Sequence, residues 1–207
     1  MDIINVTKNA PVVGEYDVVV CGGGSAGFIA AICAARSGLR TALIERFGFL
    51  GGTAISGYVA PISGFFKKGR QVVGGIPFEF IGRMEALGGA KIEYPRGHVS
   101  FDPEIYKLVA ARMVHEAGVE LYTNSYITDC VVHDGRVSGI IIENKNGAEA
   151  LRAACVIDAT GDADLCRMAG MDFLPANPDG LQPLSMCFVI GGVDLTTPLL
   201  SDCIHHD

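Results

Sequence analysis

Residues 18–30 read "VVVCGGGSAGFIA", and few folds accommodate such a run. Its apolar start fits a strand buried on both faces, its glycines a tight turn, and its alanine-rich end a helix packed close to that strand. Two catalytic patterns share these letters. Gly22-x-Gly24-x-x-Gly27 is a dinucleotide-type phosphate turn, whereas Gly23-x-Ser25-x-Gly27 is the nucleophile elbow of a serine hydrolase. Both need strand, turn and helix, so the flanking sequence has to decide.

An elbow normally sits in the middle of its sheet, after strands that supply the oxyanion hole. Here only about fifteen residues precede the first convincing strand, and nothing selects Asp158 with His205 or His206 as acid and base. The phosphate-turn reading gains support downstream. Gly22 permits the turn, Gly24 lets backbone approach a pyrophosphate, and Gly27 lets the helix pack on the sheet. Ala31 and Gly38 are small where that helix meets its neighbours. Glu45 closes the second strand, "TALIE", about eighteen residues after Gly27, where an acid reaches an adenosine ribose. Ser25 then becomes a helix-starting residue whose hydroxyl or amide meets a phosphate.

The same logic extends along the chain. "YDVVV" (16–20), a helix from Ser25 to Ser37 closed by Gly38, and "TALIE" (41–45) make a βαβ unit. Residues 46–75 are expected to be irregular, long for a connection and therefore suspected of function. Helices are expected over 77–87 and, from the Asp102-Pro103-Glu104 start signal, to about Ala117. "VELYT" (119–123) is the third strand of the sheet. Asp134-Gly135 and Asn146-Gly147 mark two hairpins, giving three antiparallel strands that end in "CVIDATGD" (155–162). A further strand is expected from Leu184, in "LSMCFVIGGVD".

At "ERFGFLGGT" (45–53), adjacent Gly51 and Gly52 can offer backbone N–H groups to a second phosphate or a flavin edge. With the Gly22/Gly24/Gly27 turn, Glu45 and the Ala159-Thr160-Gly161-Asp162 strand end, the chain from Tyr16 to about Asp194 resembles the glutathione-reductase-like superfamily of FAD-dependent oxidoreductases. "FLGGT", "DATGDADL" and "QPLSMCFVIGGVD" look most like its broad FAD-dependent oxidoreductase group. The resemblance implies an α/β fold: a three-layer Rossmann-like FAD-binding domain with a parallel sheet and an antiparallel β-meander. It implies FAD contacts from Gly22, Gly24, Ser25, Ala26, Gly27, Glu45, Arg46, Gly51, Gly52, Thr53, Ala159, Thr160, Gly161 and Asp162, with backbone hydrogen bonds to adenine near Ile127. Asp162 has two readings, a flavin side-chain hydroxyl partner or the cap of a helix starting at Ala163. The superfamily's disulfide reductases carry two cysteines after the paired glycines. Here Ala54 and Val59 stand in those places, although Pro61 matches. The flavin is therefore expected to exchange a hydride directly with a small organic substrate. An NAD(P)-binding dehydrogenase half and a non-redox nucleotide-binding subunit are the alternatives.

Composition excludes other classes. The formal charge of −7 with scattered basic residues argues against nucleic acid. The uncharged stretch from Val18 to Ala35 has glycines in its middle, which suits strand, turn and helix better than a membrane span. The seven cysteines have no ligand spacing, so no metal is expected. Cys21, Cys33, Cys130 and Cys155 lie in apolar runs and are expected to be buried thiols in a reducing compartment. No signal peptide is expected, and the cytoplasm is the expected location. His98, His115 and His133 are expected to be surface or satisfied histidines, while Tyr58, Ser56, Lys67 and Arg70 lie in the long loop that should border the flavin. Residues 1–181 are expected to form the FAD domain, with an insertion at about 54–101, and 182–207 to begin a substrate domain. Because no second Gly-Asp segment follows Asp162, a partner chain or further coding sequence is expected to complete the catalyst.

Overall fold

The computed structural model describes residues 4, 7–59, 61–93, 97–174, 180 and 185–192. Strand β1 (Val12–Cys21) leads through the glycine turn into α1 (Ser25–Arg36), and the chain returns as β2 (Thr41–Ile44). Short α2 (Thr53–Ser56) is followed by β3 (Pro61–Ile62), β4 (Phe66–Lys67) and β5 (Arg70–Gln71), then α3 (Ile76–Ala86), β6 (Ala90–Glu93) and β7 (His98–Phe101). After α4 (Pro103–Glu116) come β8 (Glu120–Tyr122), β9 (Tyr126–His133), β10 (Arg136–Asn144), β11 (Gly147–Asp158) and α5 (Asp164–Met168).

The six-stranded sheet runs β8-β2-β1-β11-β10-β9. The pairs β8/β2, β2/β1 and β1/β11 are parallel, while β11/β10 and β10/β9 are antiparallel. Alternation along the central strands decides the layers. Val18, Val20 and Leu43 face one buried cluster with Phe28 and Ile32 of α1, Phe80 and Met84 of α3, and Tyr106 and Met113 of α4. Val19, Cys21, Ala42 and Ile44 face the other, with Ile140 and Ile142 of β10 and Leu165 of α5. The meander thus covers the second face, and the three expected layers are present.

Helix ends follow local chemistry. The Asp102 carboxylate accepts from the N–H groups of Glu104 and Ile105 at 2.7 and 3.1 Å, as its start signal predicts. At the other ends, Gly38, Gly88, Gly118 and Gly170 all take positive φ and close α1, α3, α4 and α5. A Cβ at Gly38 would meet nothing within 4 Å, so this glycine caps α1 and does not pack against a neighbour. Arg36, Glu79, Arg83 and Glu116 form an ion-pair chain that ties α1, α3 and α4 together at the surface.

Several expectations need correction. Residues 46–75 are not wholly irregular: β3 joins β7 and β6 in a small antiparallel sheet, and β4 pairs with β5. The second hairpin turns at Lys145-Asn146, one residue earlier than expected, because the Asn144 side chain takes the Asn146 N–H at 2.8 Å. Gly147, with φ +98, is then the first paired residue of β11. Of the strand expected from Leu184, residues 185–192 are not in a strand, and Met186, Phe188, Val189 and Ile190 are exposed. Leu184 and residues 193–194 lie outside the described residues, as does Cys203. Among the described cysteines, all free, only Cys21 is buried; Cys33 and Cys155 are exposed. No helix among the described residues is long and apolar enough to cross a membrane.

Candidate functional site

A cleft of about 340 Å³ opens at the C-terminal ends of β1, β2 and β11. From β1 the chain passes to β2 and β8 on one side, and it later returns through the meander to place β11 on the other side of β1, which makes this the crevice where open α/β sheets bind ligands. Every expected contact residue lies on its wall except Gly27, Gly51 and Asp162.

The glycines divide into those that clear space for ligand and those that clear space for backbone. A Cβ at Gly22, where φ is +99, would lie 2.4 Å from the Ala159 carbonyl oxygen. One at Gly27 would lie 1.8 Å from the Gly22 carbonyl oxygen. Gly22 and Gly27 therefore bring α1 onto the ends of β1 and β11. Gly24 is different, since a Cβ there would meet nothing nearer than the Gly52 Cα at 3.8 Å. It is the N-cap of α1, no side chain caps the helix, and the first turn carries no acid. The leading N–H groups of α1 thus face the cleft with the positive end of the helix dipole behind them.

Gly51 and Gly52 act chiefly as a brace. The Gly51 N–H donates to the Gly23 carbonyl at 2.9 Å, and Gly51 bridges to Gly24. That N–H is used internally and is not free for a second phosphate. Gly52, with φ +52, and Thr53 reach the wall.

Glu45 is 4% exposed. Its Oε2 accepts from the Gly23 N–H at 2.7 Å and its Oε1 from the Phe47 N–H at 2.8 Å. The carboxylate fastens the phosphate turn to the end of β2, and each oxygen keeps lone-pair capacity for a ligand hydroxyl. The serine-hydrolase geometry is not assembled among the described residues. The Ser25 hydroxyl pairs with the Tyr106 hydroxyl at 3.0 Å, and His98, His115 and His133 are exposed. His205 and His206 lie outside the described residues.

The return strand ends in a second organised turn. Asp158 Oδ1 accepts from the N–H and hydroxyl of Thr160 at 3.0 and 2.7 Å, and Oδ2 from the Cys166 N–H at 2.9 Å. Burial opposes ionisation of this carboxyl, but those hydrogen bonds outweigh it and hold the group below the usual aspartate range. Ala163 takes a left-handed conformation with φ +57 and is itself the N-cap of α5, while the Thr160 hydroxyl accepts the Asp164 N–H at 2.9 Å. Asp162 therefore does not cap this helix. It is exposed, and Asp164 takes the place on the wall.

A carboxyl lowered in the folded state stabilises in full above its ordinary value and loses that contribution as pH falls through the lowered one. Asp158→Asn should cost about 2 kcal/mol at neutral pH through weakened charged hydrogen bonds. The gap to wild type should close below about pH 4. Urea unfolding at several pH values checks this, and a gap independent of pH would refute it.

Sequence reasoning missed Phe47, Ser125, Tyr126 and Asp164, all on the wall, while Ser56 of the singled-out loop residues does line it. Tyr126 is exposed at the start of β9, beside the expected Ile127. The Arg46 guanidinium lies 5.0 Å from the centroid of the Phe47 ring. An exposed aromatic opening a strand was the available signal for Tyr126. Of the other loop residues singled out, Tyr58, Lys67 and Arg70 are exposed and off this wall. Among the described residues no group of three or more His, Cys, Asp or Glu side chains could hold a metal ion. The cleft can grip an elongated ligand: an anion at α1, a hydroxyl at Glu45, and a flat ring beside Arg46 and Tyr126.

The family model described as "FAD dependent oxidoreductase" matches residues 17–206. Digeranylgeranylglycerophospholipid reductase 2 of Methanothermobacter thermautotrophicus is 31% identical over 195 residues, covering 87% of this chain and 48% of the relative. The chain spans about half the length of such curated relatives. Among solved structures, Thermovibrio ammonificans THI4 superposes with a TM-score of 0.56 at 24% identity, covering 76% of this chain and 64% of that one. A geranylgeranyl bacteriochlorophyll reductase-like protein from Thermoplasma acidophilum gives 0.55 at 21% identity, covering 76% and 42%. These structures share the fold.

Proposed function

The chain belongs to the family of FAD-dependent oxidoreductases, and on that premise we propose that its cleft holds FAD so that the flavin exchanges a hydride directly with a small organic substrate. The residues present fit the cofactor. The uncapped start of α1 with open space at Gly24 suits the diphosphate. Glu45 suits the adenosine ribose, and Arg46, Tyr126 and the start of β9 suit the adenine. Asp164 and Thr160 reach the cleft from the return turn, where a ribityl hydroxyl would meet them. In this reading residues 1–181 form the FAD-binding unit, with about 54–101 inserted in it. The connection through the meander supports the glutathione-reductase-like branch of FAD proteins.

Bound FAD supplies the hydride-accepting and hydride-donating ring; the protein supplies position and electrostatics. Ala54 and Val59 occupy the places of a dithiol relay, and burial followed by the Asp158 charge pushes the Cys21 thiol up to about 12. That thiol stays protonated and is not a redox nucleophile. The observation that carries the reading is the pairing of α1's open N-terminus with Glu45 at the adjacent strand end. Purified chain should show a flavin absorbance spectrum, and heat denaturation should release FAD identified by chromatography. Recovery of NAD(P), or no nucleotide after incubation with FAD, would overturn it.

A further inference from the structure

We propose that the Tyr106 hydroxyl is a positioning residue for the nucleotide's phosphates, acting through Ser25; the inference rests on the FAD reading above. Tyr106 rises from α4 beneath both glycine loops and is 1% exposed. Its ring is wedged against Phe28, Phe80 and Phe101, with centroids 6.1, 4.7 and 5.1 Å away. A Cβ at Gly51 would come within 2.8 Å of it. Packing alone would be served by a fourth phenylalanine, and burying a hydroxyl is costly unless it is hydrogen-bonded. The partner is the Ser25 hydroxyl at 3.0 Å, in the first turn of α1 on the cleft wall.

The direction of that bond matters. A serine hydroxyl has one proton and two lone pairs and rotates to suit its neighbours. When an anion accepts from Ser25, the serine oxygen needs a donor behind it, and Tyr106 has one. Burial raises the Tyr106 phenol above its ordinary value, against the smaller opposing effect of Ser25, so it stays protonated at neutral pH. The chain Tyr106 O–H to Ser25 Oγ, and Ser25 O–H to phosphate, runs in one sense, and each bond polarises the next. The fixed ring makes the serine rotor point into the cleft before ligand arrives.

The test is a double-mutant cycle of Tyr106→Phe and Ser25→Ala in the full chain, reading FAD and ADP affinity together with the melting temperature of the ligand-free protein. Tyr106→Phe should leave melting unchanged and weaken FAD and ADP alike by roughly three- to tenfold. Ser25→Ala should weaken binding and also lower the melting temperature, because the buried tyrosine hydroxyl loses its partner. The double variant should recover the melting temperature yet bind no worse than Ser25→Ala alone. Equal affinity for wild type and Tyr106→Phe, additive losses in the double variant, or a loss seen with FAD but not ADP would each overturn the inference. Wild type that binds neither nucleotide would instead remove the FAD reading, and this inference with it.

Discussion

Gly27→Ala should yield a chain that retains no FAD. The added methyl would sit 1.8 Å from the Gly22 carbonyl oxygen and 3.2 Å from the Ala159 Cβ. Nothing flexible can yield, because Gly22 is pinned by its N–H bond to Ile44 and by its closeness to the Ala159 backbone. The helix must therefore back away, and Phe28, Ala31 and Ile32 move with it out of a closed core. Overpacking at its upper end costs about 3 kcal/mol and alanine's better helix propensity offsets about 1 kcal/mol, leaving a net loss of about 2 kcal/mol. Gly82→Ala in α3 is the control, since its Cβ meets nothing; it should leave stability equal or slightly raised. Thermal unfolding and FAD retention after gel filtration check the pair. Normal melting and normal flavin content in Gly27→Ala would show that α1 is not held where the structure puts it.

Glu45→Ala should lower FAD affinity by about a hundredfold or more. The proposed ribose contact alone would account for roughly ten- to a hundredfold, as a hydrogen bond to a charged group contributes about 1.5–3 kcal/mol. The structure adds a second cost, because the same carboxylate holds the N–H groups of Gly23 and Phe47. Truncation leaves the buried Gly23 donor unsatisfied and frees the phosphate turn from β2. Stability of the ligand-free chain should fall as well, by about 2–3 kcal/mol. Glu45→Gln keeps one acceptor oxygen and should fall between, while exposed Glu15→Ala should match wild type. Fluorescence titration with FAD and urea unfolding measure the two costs separately. A Glu45→Ala chain that binds FAD weakly but unfolds like wild type would mean the turn needs no anchor.

The first βαβ unit was legible because its signals are local. An apolar run, a glycine turn and a capping glycine all act within a few residues of one another. The Asp134-Gly135 hairpin was legible for the same reason, since both residues take positive φ in a two-residue turn. What escaped depends on partners far away. Pro61 pairs with Ser100, and two paired residues in β3 carry no periodicity. Within the cleft, the glycine pattern identified the turn, but not which glycines face ligand and which face backbone. That Asp164 and not Asp162 lines the cleft goes with the left-handed Ala163 between them, a conformation alanine propensity gives no reason to expect. Glu45 was singled out from its position at the strand end, yet its bond to Gly23 appears only when β2 and the turn are seen side by side.

The contact between the two glycine loops constrains how this site can drift. Gly52 lies so close to Gly24 that a Cβ on it would come within 2.9 Å of the Gly24 Cα. Ordinary packing faults can be suppressed by shrinking the opposing side chain. Here the opposing residue is already glycine, so no smaller letter exists to compensate. A substitution at Gly52 has no suppressor at Gly24, and relief has to come from moving a whole loop, which would drag the Gly51 to Gly23 hydrogen bond with it. Variation at this crossing is therefore all-or-nothing.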